Sequence, residues 1–178
     1  TNKFDARGAD MLSFILPEYK HRNDILAFYD EFEKNGETCI GYANYKNFDS
    51  WLLGMKNRGT GTNLPEGYVR ENFYLCYDEN EMVGVFSLKF ELTPFLTNYG
   101  GHIGYAVKPS KRNRGLATQI LKQGLEISKI LGFERILAIC DEDNYASEKV
   151  IIRNDGIFEN MLFDDEENVF VKRYWIHL

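Results

Sequence analysis

The chain has 178 residues, 27 acidic and 21 basic side chains for a formal charge of −6, and 44% hydrophobic residues, which excludes intrinsic disorder as its main state and predicts one domain. Charges interrupt every apolar run before the roughly 18 to 20 residues of a membrane helix, and the Met11 to Leu16 run is too short for a signal-peptide core, so a cytoplasmic protein with no membrane partner is expected. The acidic balance argues against sequence-independent nucleic-acid binding, and Cys39, Cys76 and Cys140 form no CxxC pair, so neither a disulfide framework nor a metal site is expected.

Residues 1–10 are polar and aperiodic and read as an N-terminal extension, ahead of a single domain over 11–178. Leu12 to Leu16 predicts a short strand. Arg22 to Lys34 predicts a helix, because Ile25, Leu26, Phe28, Tyr29 and Phe32 recur at helical spacing, and Asn35-Gly36 ends it. A second helix is expected over Phe48 to Lys56, followed by a turn-rich loop from Arg58 to Gly67. Glu71 to Tyr77 and Glu81 to Phe90, separated by Asp78-Glu79-Asn80, have the spacing of a β-hairpin. The second half changes rhythm. His102 to Val107 reads as a strand, Arg114 to Leu131 as an amphipathic helix, Glu134 to Cys140 as a strand and Asn144 to Asn154 as a helix, with strands over Gly156 to Phe163 and Val169 to Ile176 closing the chain. A strand–helix–strand unit implies a right-handed crossover between parallel neighbours in an otherwise antiparallel sheet, so the fold class is α/β with a mixed sheet.

The stretch Gly101-His102-Ile103-Gly104-Tyr105-Ala106-Val107-Lys108-Pro109-Ser110-Lys111-Arg112-Asn113-Arg114-Gly115-Leu116-Ala117-Thr118 joins a strand, a basic turn and a helix start. Gly115 and Ala117 remove bulk where backbone N–H groups have no intrahelical acceptor, and those donors with the helix dipole favour an anion. Lys108, Lys111, Arg112 and Arg114 place four bases in seven positions. Neither GxGxxG nor GxxxxGK[ST] occurs, so a phosphate-bearing ligand other than a dinucleotide or a Walker-bound nucleotide is indicated.

Arg112-x-x-Gly115-x-Ala117 after a strand resembles the Q/R-x-x-G-x-G/A pyrophosphate loop of the GNAT superfamily of acyl-CoA-dependent N-acyltransferases. The order of elements matches too, and Ala138-Ile139-Cys140-Asp141-Glu142-Asp143-Asn144-Tyr145-Ala146-Ser147 resembles the family's fifth strand and the Asn-x-x-Ser that begins its fourth helix. The likeness runs from about Leu12 to the end of the chain, and is nearest to a branch of bacterial acetyltransferases of unassigned acceptor. It implies a mostly antiparallel central sheet with helices on both faces, whose fourth and fifth strands splay apart to admit acetyl-CoA, used as acyl donor without a metal. By position, the pyrophosphate would rest on the N–H groups of Arg112, Asn113, Arg114, Gly115, Leu116, Ala117 and Thr118. The Val107 N–H would hold the thioester oxygen and then the oxyanion, while Asn144 and Ser147 would meet the pantetheine arm.

For a base, His102 lies on the strand that should flank the acetyl group, and Glu91 at the end of the preceding strand is the other candidate. The family's usual proton donor, a tyrosine seven residues after the Asn, is replaced by Ile151, so the thiolate would take its proton from water or from Tyr145, Tyr105 or Cys140. The acceptor pocket of this family would draw here on Tyr29, Tyr42, Tyr45, Trp51, Phe95, Tyr99, Tyr174, Trp175, Asp49 and Asp164 to Glu167, a rim suited to a cationic amine. The expected function is acetyl transfer to a primary amine of a small molecule, peptide or protein in a ternary complex, with a homodimer allowed. A non-catalytic acyl-CoA sensor is the alternative that Ile151 encourages, and a phosphate-binding interaction domain is a third.

Overall fold

Alternating and helical apolar patterns sort the chain into strands and helices that bury two separate cores. The computed structural model describes residues 11–178, so the extension expected over residues 1–10 lies outside the described residues. In chain order the elements are β1 (Ser13–Ile15), α1 (Arg22–Lys34), α2 (Phe48–Thr60), β2 (Glu71–Asp78), β3 (Glu81–Lys89), β4 (Ile103–Val107), α3 (Leu116–Ile130), β5 (Arg135–Asp141), α4 (Tyr145–Arg153), β6 (Ile157–Asp164) and β7 (Val169–His177). One sheet runs β1-β2-β3-β4 and the other β5-β7-β6. Every ladder in both is antiparallel.

The strand period places helices on both faces. Along β2, Tyr74 and Cys76 point to the core shared with α3, α4 and the second sheet, while Phe73, Leu75 and Tyr77 point to the core under α1 and α2. Ile120, Leu121, Leu125 and Ile127 form the buried face of α3. The largest aromatic cluster lies in the α1–α2 core, where Tyr29, Tyr45 and Trp51 are buried against Phe28, Phe32, Phe48 and Phe73.

Several boundaries differ from expectation, each for a local reason. Helix α2 runs to Thr60, because the first residue in the left-handed conformation after Phe48 is Gly61 (φ 73°), which caps it. Helix α3 starts at Leu116 rather than Arg114, since Asn113 (φ 62°) and Gly115 (φ 78°) interrupt the helical backbone. Strand β4 starts at Ile103 because the His102 N–H turns across to Leu137 O, leaving only its carbonyl bonded to β3. The parallel pair expected around α3 is reduced to that one junction. Between β3 and β4, Leu96–Gly100 forms a wide helical turn that sequence periodicity did not indicate. The buried Arg173 holds this connection against β7: its Nε donates to Thr97 O (3.0 Å) and its Nη1 meets Glu159 (2.6 Å) and Asn160 (2.8 Å).

Candidate active site at the splayed strands

The edges of the two sheets, β4 and β5, face one another without a ladder. They touch at the base. His102 N–H donates to Leu137 O (2.9 Å), and Leu137 N–H donates to His102 Nδ1 (2.9 Å). Gly101 makes the approach feasible, because a Cβ there would lie 2.6 Å from Leu137 O. Beyond this junction the strands diverge into a wedge, bridged on the α4 side by the Tyr105 hydroxyl, 2.8 Å from Ser147 Oγ. Lys89 N–H bonds to His102 O and Lys108 N–H to Val83 O, so even-numbered residues of β4 turn main-chain groups toward β3. Alternation turns the N–H groups of Tyr105 and Val107 toward the wedge.

At the open end, the chain passes from β4 through Lys108 to Gly115 into α3. Gln119 N–H bonds to Gly115 O, the first backbone bond of the helix, which leaves the N–H groups ahead of it directed out of its N-terminus. The left-handed residues Asn113 and Gly115 curl this backbone into a concave donor surface. Nothing lies within 4 Å of the position a Gly115 Cβ would take, so the space beside these donors is open. This cradle fits a pyrophosphate.

The basic side chains of the turn do not all face that space. Lys108 bridges Glu31 (3.8 Å) and Glu81 (3.4 Å), Lys111 meets Glu81 (2.6 Å), and Arg112 forms a bidentate pair with Glu37 (3.0 and 2.6 Å). Hydrogen bonds from Lys111 and Arg112 hold the Glu81 and Glu37 carboxyls below the usual range. Arg114 is exposed and forms no ion pair among the described residues. Three of the four bases thus tie the turn to α1, its following loop and β3, and one is left for a ligand. Glu31, Glu37 and Glu81 carried no signal in the sequence, since ordinary exposed glutamates look the same.

Asn144 caps α4 through Oδ1, which accepts Ser147 N–H (3.1 Å), and its amide NH₂ has no partner among the described residues. The cap and a ligand contact therefore use different atoms. Ser147 is half-buried beside Tyr105, whose phenol burial pushes up to about 12. Burial also pushes the Cys140 thiol up to about 11, and Ile151 is packed into the core.

His102 and Glu91 lie elsewhere. Both line a cavity of about 610 Å³ with Phe90, Phe133, Arg135 and Trp175, at the closed end of the wedge. Five residues of extended chain, about 16 Å, separate His102 from Val107. The Nδ1 lone pair of His102 is committed to Leu137, and burial, aided by Lys89 and Arg135, lowers its pKa to about 4. Its geometry is that of a neutral clamp between the sheets. Of the aromatics expected at an acceptor rim, Tyr29, Tyr45, Trp51 and Tyr174 are buried, with Tyr29 OH and Trp51 Nε1 donating to Ile40 O (3.0 Å) and Gly41 O (2.7 Å). Tyr42, Tyr99 and Trp175 are half-buried, and Phe95 is exposed. Asp164 is buried and accepts the N–H groups of Glu166 and Glu167 in the β6–β7 turn.

Residues 49–153 match the model of the Acetyltransferase (GNAT) family. Among solved structures, the chain is similar to a Salmonella typhimurium acetyl transferase described as modifying the N-terminal serine of 50S ribosomal subunit protein L7/L12, at 21% identity over 95% of this chain and 96% of that one, with a TM-score of 0.72. It is similar to the ribosomal-protein-S5-alanine acetyltransferase of Vibrio fischeri, at 13% identity over 99% and 97% of the two chains, with a TM-score of 0.74. It is also similar to the microcin C7 self-immunity acetyltransferase MccE, solved with acetyl-CoA and AMP, at 15% identity over 95% and 93%, with a TM-score of 0.71. No curated protein matches the chain at a significant level.

Proposed function

Because the chain belongs to the GNAT acetyltransferase family, we propose that it transfers the acetyl group of acetyl-CoA directly to a primary amine in a ternary complex. The observation that carries this reading is the coincidence of a strand wedge with a curled, sterically open helix N-terminus at its mouth. In it, the N–H groups from Asn113 to Thr118 and the Arg114 guanidinium hold the diphosphate, while the Arg112 N–H expected among them is taken by Pro109 O (3.3 Å), and the Asn144 NH₂ and Ser147 steady the pantetheine arm. The Val107 N–H, turned into the wedge, receives the thioester oxygen and the charge that develops on it, a contact worth about 3 kcal/mol of barrier when such donors are preorganised.

As the amine attacks, a C–N bond forms, the C–S bond breaks, the amine's proton leaves to water and the thiolate becomes a thiol. The Tyr105–Ser147 hydroxyl pair supplies that proton from the α4 side of the wedge. His102 acts here by holding β4 and β5 together rather than by taking the proton: a group with pKa about 4 and no free Nδ1 lone pair is a poor base at neutrality. Glu91 shares its cavity, away from the wedge mouth. The acceptor is an amine entering from the face of β4 over which Ile40 packs, opposite α3. One similar structure is described as modifying a protein's N-terminal serine and another as a ribosomal-protein-S5-alanine acetyltransferase, which makes an N-terminal peptide amine the first class to assay.

Thermal denaturation with acetyl-CoA, CoA or ATP at about 100 times the dissociation constant tests the reading. Stabilisation of about 2.7 kcal/mol is expected with acetyl-CoA and CoA, and none with ATP. Equal shifts with all three ligands, or none, would overturn it. Thiol release with N-terminal peptides and small amines then identifies the acceptor.

A further inference from the structure

Arg112 belongs to the phosphate-binding turn, yet its guanidinium leaves the turn. Nε lies 3.4 Å from Val107 O, the plane covers the Phe32 ring at 5.4 Å, and both terminal nitrogens hold the Glu37 carboxylate. Glu37 sits in the segment between α1 and α2. Three residues later Ile40 packs on β4 over Gly104, where a Cβ would lie 2.9 Å from the isoleucine Cγ2. The turn that meets the cofactor phosphates is therefore tied by one ion pair to the segment covering the acceptor-facing side of β4.

The pair is built to be exchanged. Both side chains are 39% exposed, so solvent screens the pair and it holds only weakly. A diphosphate in the Gly115 cradle brings more negative charge and more acceptor oxygens to Arg112 than one carboxylate does, and repels that carboxylate. The motion that follows is bounded, because Tyr29 OH and Trp51 Nε1 pin the carbonyls of Ile40 and Gly41. Between those pins and α1 lie residues 36–39, whose backbone ties are Gly36 N–H to Glu33 O (2.9 Å), Glu37 N–H to Phe32 O (2.9 Å) and Tyr42 N–H to Cys39 O (3.1 Å).

We propose that Glu37 is a positioning residue whose hold on Arg112 is exchanged for the phosphates of acetyl-CoA, so that segment 36–39 is released in the loaded enzyme and the acceptor follows the cofactor. This rests on the acetyl-CoA reading above. It assigns to Glu37 a role in setting cofactor affinity and binding order.

Acetyl-CoA affinity by calorimetry in the wild type, Glu37→Gln, Arg112→Gln and the double variant tests it, with hydrogen exchange of 36–39 read alongside. Glu37→Gln is expected to bind about 3 to 5 times more tightly, the equivalent of the lost pair. Glu37→Asp should return toward the wild-type value. In the Arg112→Gln background, Glu37→Gln should have no effect. Acetyl-CoA should speed exchange at 36–39 in the wild type, and Glu37→Gln should show the fast exchange without it. If Glu37→Gln tightens binding equally in both backgrounds, the effect is general charge repulsion and the latch is wrong. Unchanged affinity, or slower exchange at 36–39 on loading, overturns it as well while the cofactor reading stands. A wild type that binds no acetyl-CoA overturns both.

Discussion

Gly115 holds φ at +78° with open space where a side chain would stand, so its constraint is conformational and belongs to the ligand rather than to the core. A β-branched residue there costs about 1 to 2 kcal/mol in the left-handed region, and its relief would turn the N–H groups of the turn out of line. Gly115→Val is expected to fold, with acetyl-CoA affinity reduced tenfold or more by calorimetry; full affinity would show that the phosphates rest elsewhere. This residue was legible in the sequence because a glycine among bases just ahead of a helix removes bulk beside its free N–H groups. Asn144 was marked in the sequence by the family likeness as a cofactor contact, and the geometry adds that its Oδ1 caps α4 while its NH₂ has no partner among the described residues. His102 was not legible. Its strand position suggested a base, and its bond to Leu137, 35 residues away, is invisible to any local pattern.

The turn between β4 and α3 divides its work between main chain and side chains. Its four bases suggested a uniformly positive cradle, but Lys108, Lys111 and Arg112 are neutralised by carboxylates from α1, its following loop and β3. Before the cofactor binds these are struts, which leaves first recognition to the backbone donors and Arg114, with Arg112 joining only on exchange of Glu37. Lys111→Ala should lower stability by about 0.5 to 1 kcal/mol in urea denaturation, with acetyl-CoA affinity nearly unchanged. Arg114→Ala should do the reverse, with unchanged stability and affinity down about 3- to 10-fold, the worth of one charge-assisted contact. Equal affinity losses in the two variants would restore the uniform patch. The elements themselves followed the periodicity closely, and α1 spans the expected residues. The Leu96–Gly100 turn escaped notice because Arg173, 76 residues from its partner Thr97, holds it from outside.

Across the whole molecule, the two sheets meet edge to edge at His102 and Leu137, and that junction sets where the wedge begins. The fold keeps His102 neutral, with a pKa of about 4 against an ordinary 6.5, so the unfolded chain binds its proton first. Its stabilising contribution is complete above pH 6.5 and is lost as pH falls toward 4. Urea denaturation from pH 7 to pH 4 should therefore show the wild type's advantage over His102→Gln shrinking as the solution is acidified; a constant gap would place the imidazole outside the junction. The sequence by itself determined the element order, the apolar faces of the helices and strands, and the basic, glycine-containing turn ahead of α3, because these follow from repeating apolar spacing and from bases and glycine clustered in one short stretch. The tertiary structure alone decided where the splayed strands around α3 stay clamped, at His102 and Leu137, which bases remain free, and which aromatics line the core. Each of those depends on which distant carboxylate, carbonyl or ring the folded chain brings within a few ångströms, and side chains of one type carry no mark of the partner they will meet.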